Sequence, residues 1–139
     1  LLLLVPRHPE RFNPVADLIE KANFNFIRRS TGEIPSENTQ VILGLIEVES
    51  AFRQYAISGV GARGLMQVMP FWKNYIGKSS HNLFDIRTNL RYGCTILRHY
   101  NNIEKGNIVR ALARFNGSLG SNKYPNAVLG AWRNRWQWG

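Results

Sequence analysis

Apolar residues recur along this chain at helical rather than strand spacing. Val15, Leu18, Ile19, Ala22 and Phe26 fall at steps of about three and four, which places them on one face of a 3.6-residue helix. Asn13 and Pro14 stand just before them, a capping residue followed by the proline that suits a first helical turn. The pattern predicts a helix over 14–29, ended by Ser30-Thr31-Gly32. Ile34-Pro35-Ser36 restarts the chain, and the dense run from Val41 to Val48 predicts a second helix over 37–51. Pro70 opens a short helix ending near Gly77. Ile86, Leu90, Cys94 and Leu97 form the stripe of a longer helix over 86–101, with Gly93 beside it where helices can approach closely. Asn107 caps a helix over 108–115, broken by Gly117, Gly120 and Ser121. Pro125 is expected to start a last helix carrying Val128, Leu129 and Trp132.

One segment departs from this pattern. Gly59, Gly61 and Gly64 lie within six residues, which argues for turns or a small irregular hairpin. No internal repeat, heptad seam or low-complexity linker interrupts the rest. The expectation is therefore a mostly α domain over 13–139 with one glycine-rich excursion. Residues 1–12 are expected to be an N-terminal stub. Leu1 to Val5 is short and apolar, as in the tail of a signal-peptide core or a residual extension. As a signal remnant it would imply export.

The second helix carries the most informative residue. At about 100° per residue from Val41, Leu45 and Val48 fall at about 40° and 340°, and Ile42 and Ile46 at about 100° and 140°. The apolar mean lies near 60° and Glu49 falls at about 80°, inside the apolar face. Glu47 falls near 240°, on the side assigned to solvent. Glu47 thus reads as an ordinary solvated glutamate whose replacement by Gln should matter little. Two accounts of Glu49 compete. It sits at a frayed helix end or pairs with a buried Arg; or desolvation raises its pKa, so that it keeps its proton and serves as a general acid.

Charge widens the choice of partner. Lys and Arg number 18 against 9 Asp and Glu, a formal charge of +9. Asp85 and Glu104 are the only acids after Glu49. A basic surface suits nucleic acid, an anionic lipid face or an acidic polymer, and equally plain solubility. No base-reading motif accompanies the charge. Cys94 stands alone, so no disulfide framework or thiolate cluster can form. His8, His81 and His99 lack metal-ligand spacing, so neither metal nor cofactor is expected. Trp132, Trp136 and Trp138 beside Arg133 and Arg135 suit packing of a small core, carbohydrate stacking or a membrane edge.

Four blocks of residues, in order, carry a resemblance to a known family. They are Val48-Glu49-Ser50; Ser58-Gly59-Val60-Gly61-Ala62-Arg63-Gly64-Leu65-Met66-Gln67-Val68-Met69-Pro70; Asn82-Leu83-Phe84-Asp85 through Asn89 and Gly93; and Ala111-Leu112-Ala113-Arg114-Phe115-Asn116. Tyr124 and Val128-Leu129 follow. From Asn38 to about Trp138 the chain resembles the soluble lytic transglycosylase domain of the lysozyme-like superfamily. That family implies a compact, mostly α, lysozyme-like α+β fold, with the glycine-rich hairpin or loop flanking an active-site cleft. It implies cleavage of the β-1,4 bond between N-acetylmuramic acid and N-acetylglucosamine in peptidoglycan, closing a 1,6-anhydro ring without water. The resemblance makes Glu49 the single catalytic acid/base. It makes Ser58, Gly64, Leu65, Met66, Gln67, Met69, Phe115, Asn116 and Tyr124 the substrate-binding set. It implies peptidoglycan strands as partner rather than nucleic acid, a monomer close to a membrane, and a periplasmic or envelope location. Each residue also has a plainer reading: Ser58 as a turn serine, Leu65 and Met66 as core, Asn116 as a helix end ahead of Gly117, Tyr124 as an aromatic anchor. A goose-type hydrolytic muramidase and an inactive wall- or nucleic-acid-binding module are the alternatives.

The family's usual Ala-Tyr-Asn is Arg114-Phe115-Asn116 here. Arg114 would face a peptide carboxylate or water, and Phe115 keeps the ring without its hydroxyl. Phe115→Tyr should therefore be tolerated, changing stability by less than about 1 kcal/mol in a denaturant titration.

Overall fold

Ser36 opens the helix around which the other elements gather. The computed structural model describes residues 13–22 and 36–137. Helix α1 spans Asn13–Ala22 and α2 spans Glu37–Ser50. The Ser36 hydroxyl accepts from the Thr39 amide at 3.3 Å, satisfying one of the free amides of the first turn. The Ser36 amide donates to Glu20 Oε1 at 3.1 Å, tying α1 to the start of α2. The rest of the expected helix over 14–29, the Ser30-Thr31-Gly32 stop, Leu1 to Val5, His8 and Trp138 lie outside the described residues.

A 3-10 turn over Pro70–Trp72 runs into a one-turn helix α3, Lys73–Ile76, which stops at Gly77. Helix α4 is Ile86–Ile103, α5 Ile108–Asn116 and α6 Lys123–Ala131; a π-helical turn, Trp132–Trp136, follows directly. Asp85 caps α4 by accepting from the Thr88 amide at 3.0 Å, and Asn107 caps α5 through the Arg110 amide at 3.2 Å. Gly117 ends α5 in the left-handed conformation, φ 73°, where glycine pays no Cβ penalty. Helix α6 begins two residues before the expected Pro125. A proline is tolerated anywhere in a first turn, because those amides have no intrahelical acceptor.

Helix α2 packs against α1, α6 and the π-helical turn, while α4 packs against α1 and α5. Every residue of α2 from Thr39 to Glu47 is buried. A Cβ on Gly44 would lie 2.9 Å from the Val128 carbonyl oxygen, so glycine sets the close approach of α6. Gly93 similarly abuts Met66. The core joins Leu43, Leu45 and Ile46 of α2 to Met66, Leu90, Leu112, Val128 and Trp136. Trp136 is fully buried and Trp132 donates to Gln40 Oε1 at 3.0 Å, so these two tryptophans serve packing. The glycine-rich segment makes two isolated antiparallel bridges, Ile57 with Arg63 and Arg63 with Val68. His81 Nδ1 pairs with the Tyr92 hydroxyl at 2.5 Å.

The single-face reading of α2 fails at Glu47. Glu47 is only 8% exposed. Arg135 Nε lies 2.8 and 2.9 Å from its two carboxylate oxygens, Arg135 Nη2 donates at 2.5 Å, and Trp136 Nε1 donates at 3.0 Å. The C-terminal turn folds over the face that rotation assigned to water, and it brings Glu47 the kind of cation that one of the two accounts had offered to Glu49. Val48, placed by rotation on the apolar stripe, is instead 38% exposed. A helix enclosed on several sides has no single wet face for its pattern to report.

Glu47→Gln should therefore destabilise the protein by about 2 kcal/mol, the scale of a charge-assisted hydrogen bond to a buried group. A fall in Tm of several degrees checks it; an unchanged Tm would contradict the clamp.

Candidate active site

Glu49 occupies the last turn of α2, where the helix stops abruptly. The Ala51 amide donates to the Glu47 carbonyl at 3.0 Å. Ala51 and Phe52 then both take left-handed backbone angles, φ 51° and 62°. Two such residues in succession, neither glycine, cost about 1–2 kcal/mol each. Packing holds the turn: the Phe52 ring sits 5.4 Å from that of Trp136. The buried Ser50 hydroxyl donates to the Leu65 carbonyl at 2.8 Å, joining the end of α2 to the glycine-rich segment.

That segment forms one wall of a cavity of about 520 Å³ lined by Glu49, Arg53, Gln54, Tyr55, Ala56, Ile57, Ser58 and Gln67. Asn89, 1% exposed on α4, pins it from behind. Its Oδ1 accepts from the Met66 amide at 2.9 Å, and its Nδ2 donates to the Arg63 and Leu83 carbonyls, each at 2.8 Å. A polar residue bordering the stripe of Ile86, Leu90, Cys94 and Leu97 was the available signal for this role. Gly64 has φ +76°, and a Cβ there would stand 2.7 Å from the Leu83 carbonyl oxygen. Backbone angle and space both require glycine.

Helix α6 supplies the partner of the acid. The Tyr124 hydroxyl donates to Glu49 Oε2 at 2.7 Å. Burial raises the pKa of Glu49 above its usual 4.5, and the Tyr124 hydrogen bond opposes part of that rise. Tyr124 is held well above 10 by its own burial and by the adjacent carboxylate, so it remains a neutral donor.

The expected site residues separate into three groups. Glu49, Ser58 and Gln67 line the cavity, and Tyr124, outside the lining, is hydrogen-bonded to Glu49. Ser58 Oγ accepts from the Val60 and Ala62 amides at 3.3 and 3.0 Å, and Gln67 Nε2 donates to the Ala56 and Gly64 carbonyls at 3.2 and 3.0 Å. Both side chains thus also hold the wall together. Gly64, Leu65 and Met66 are buried behind the wall, and Leu65 and Met66 belong to the apolar core. Met69 is half-buried and extended just before the 3-10 turn. Phe115 packs against the core. Asn116 is exposed, with its Nδ2 donating to Ser118 Oγ at 2.9 Å, a local turn contact. Arg114 is hydrogen-bonded to Glu104, which replaces the expected peptide carboxylate or water. Arg53, Gln54, Tyr55 and Ile57 line the cavity without having been anticipated, because they fall between motif positions.

Among the described residues, three other carboxylates are committed elsewhere. Glu47 pairs with Arg135, Asp85 caps α4, and Glu104 also pairs with Arg110 at 2.7 Å. Glu37 stands twelve residues earlier on α2, about 18 Å along the axis from Glu49. A second cavity, about 390 Å³, is lined by Glu37, Cys94, Arg98 and Trp132 among others. Burial pushes the Cys94 thiol up to about 12, so it stays protonated and inert as a nucleophile. Among the described residues no group of three or more His, Cys, Asp or Glu stands close enough to hold a metal ion.

Residues 28–128 match the family model described as the transglycosylase SLT domain. Over 109 residues the chain is 32% identical to the membrane-bound lytic murein transglycosylase C of Yersinia enterocolitica, covering 67% of this chain and 30% of that protein. A solved complex of the 70-kDa soluble lytic transglycosylase with bulgecin A superposes with a TM-score of 0.61 at 25% identity, over 91% of this chain and 20% of that one. A shorter stretch, 44 residues, is 80% identical to the 3-deoxy-D-manno-octulosonic acid transferase of Haemophilus influenzae, covering 32% of this chain and 10% of that enzyme. So short a stretch is near the lower limit for burying a core of its own. This chain thus spans between a tenth and 36% of the curated relatives' length.

Replacing Tyr124 with Phe removes the one interaction that draws the Glu49 pKa down. Its folded-state pKa should rise further above the ordinary value. Carbon-detected NMR titration of the Glu49 carboxyl in Tyr124→Phe checks this, and an unchanged or lowered midpoint would contradict it.

Proposed function

We propose, for a chain that belongs to the transglycosylase SLT domain family, that it is a peptidoglycan lytic transglycosylase in which Glu49 is the single acid/base. The supporting observation is one carboxylate in the cavity lining, half-buried, biased toward its protonated form and hydrogen-bonded to a phenol. Two-carboxylate glycosidases place a second acid about 5–9.5 Å away to act as nucleophile or to activate water. Among the described residues the cavity lining contains no such partner.

The protonated Glu49 donates its proton to the oxygen bridging N-acetylmuramic acid and N-acetylglucosamine, and the bond from that oxygen to muramic C1 breaks. The substrate's own N-acetyl group stabilises the positive charge at C1. Glu49, now a carboxylate, takes the proton from the C6 hydroxyl as that oxygen bonds to C1 and closes the 1,6-anhydro ring. Water is neither added nor released, and Glu49 ends protonated as it began. A group that must give and then take a proton works best with a pKa moved toward the working pH, the direction in which burial moves Glu49. Tyr124 steadies the carboxylate between the two transfers.

Peptidoglycan strands, with their peptide carboxylates, also suit a chain of formal charge +9. The same reading places the protein outside the cytoplasm, in the periplasm or envelope near a membrane, acting as a monomer with residues 13–139 as one catalytic domain. No described helix is long and apolar enough to cross a membrane.

Glu49→Gln should lower turnover of purified peptidoglycan by at least about 10²–10⁴-fold while leaving the fold and sacculus binding intact. Mass spectrometry of the wild-type digest should show anhydromuramic ends, one water lighter than hydrolysed ends. Hydrolysed ends would indicate a muramidase, and an active Glu49→Gln would remove Glu49 from the mechanism.

A further inference from the structure

The wall beside Glu49 has two chemically different sides. Glu49, Arg53, Ser58 and Gln67 offer polar groups, whereas Tyr55 and Ile57 offer apolar surface. Tyr55 is 72% exposed and Ile57 62% exposed. Exposed apolar residues occur singly on most proteins and mean little by themselves. Phe71, Tyr75 and Val60 are comparably exposed, yet none lines the cavity that contains Glu49. Tyr55 and Ile57 do.

The backbone carrying Tyr55 is anchored on both sides. Arg53 donates from its amide and from Nε to the Ser50 carbonyl, each at 3.1 Å. Gln54 Nε2 donates to the Phe84 carbonyl at 3.1 Å. The Ala56 amide donates to the Arg53 carbonyl at 3.2 Å, and the Ala56 carbonyl accepts from the Gly64 amide at 2.8 Å. The Tyr55 ring is braced by Phe84, with centroids 6.0 Å apart and planes tilted by 40°. The Arg63 guanidinium lies 5.7 Å from the Phe84 centroid. The anchored backbone and the one-sided brace reduce the freedom a ligand must remove, which favours binding on an exposed ring.

A pyranose matches this surface. Its ring faces carry C–H groups and its rim carries hydroxyl and amide groups, so it can lie on an aromatic ring while its edge meets polar side chains. We infer that Tyr55 is a sugar-stacking residue that takes the face of an N-acetylhexosamine in the subsite beside Glu49. The inference rests on the glycan-cleaving reading above and assigns one of its contacts. Tyr55 binds substrate and takes no part in proton transfer.

The test uses the full chain carrying Glu49→Gln, titrated with the soluble tetramer of N-acetylglucosamine by calorimetry and by NMR of the sugar protons. The parent should bind with upfield ring-current shifts on one sugar's C–H protons. Adding Tyr55→Ala or Tyr55→Leu should abolish those shifts and weaken binding about tenfold. Tyr55→Phe should restore affinity to within about twofold of the parent, because the ring and not the hydroxyl carries the contact. Val60→Ala, exposed and outside the cavity, should behave as the parent. Equal affinity in Tyr55→Ala and the parent, absence of ring-current shifts, or no tetramer binding by the parent would overturn the inference. The mass of wild-type peptidoglycan products is a separate reading: anhydro ends together with a silent Tyr55 would sink the stacking contact and leave the proposed activity standing.

Discussion

The end of α2 holds two carboxylates in unequal surroundings, and much of the structure follows from that inequality. A helix C-terminus is electrically negative and resists a charged glutamate. Glu47 escapes the penalty because Arg135 grips it with two nitrogens and Trp136 adds a third donor. Glu49, two residues on, receives a neutral phenol instead of a cation. That grip makes Glu47 part of the scaffold. Partial compensation leaves Glu49 inclined to hold its proton.

The same contacts fix the geometry around the acid. Trp136 closes over α2 and packs on Phe52, one of the two residues whose left-handed backbone ends the helix. The C-terminal turn therefore stabilises the break that brings Glu49 to the cavity. On the far wall, Ser50 and Asn89 attach the glycine-rich segment to α2 and α4 through buried hydrogen bonds. The cavity is thus framed by groups that belong to the core. Leu65 and Met66 contribute there through packing, one layer behind the surface that Ser58 and Gln67 present.

Much of the helical layout could be read along the chain, because capping residues and helix-stopping glycines act within a turn or two. Asn107 and Gly117 lie where the sequence places them. The start of α6 was missed by two residues because a first-turn proline does not mark which position of the turn it occupies. In the site, the bond between Tyr124 and Glu49 joins residues 75 apart. The motifs made each residue a candidate separately, and only the packing of α6 on α2 brings them together.

By itself the sequence determined the helices, the glycine-rich excursion and the candidacy of Glu49, since each depends on local backbone preference or on a recurrent motif. It could not determine which glutamate is neutralised. Rotation about one helix knows nothing of a cation 88 residues away, and that assignment was decided when the C-terminal turn folded over the side of α2 expected to face water. Nor could it reveal Tyr55, whose meaning depends on the cavity beside it rather than on its neighbours in the chain. Charge compensation and ring placement act through space, so tertiary structure alone settled them.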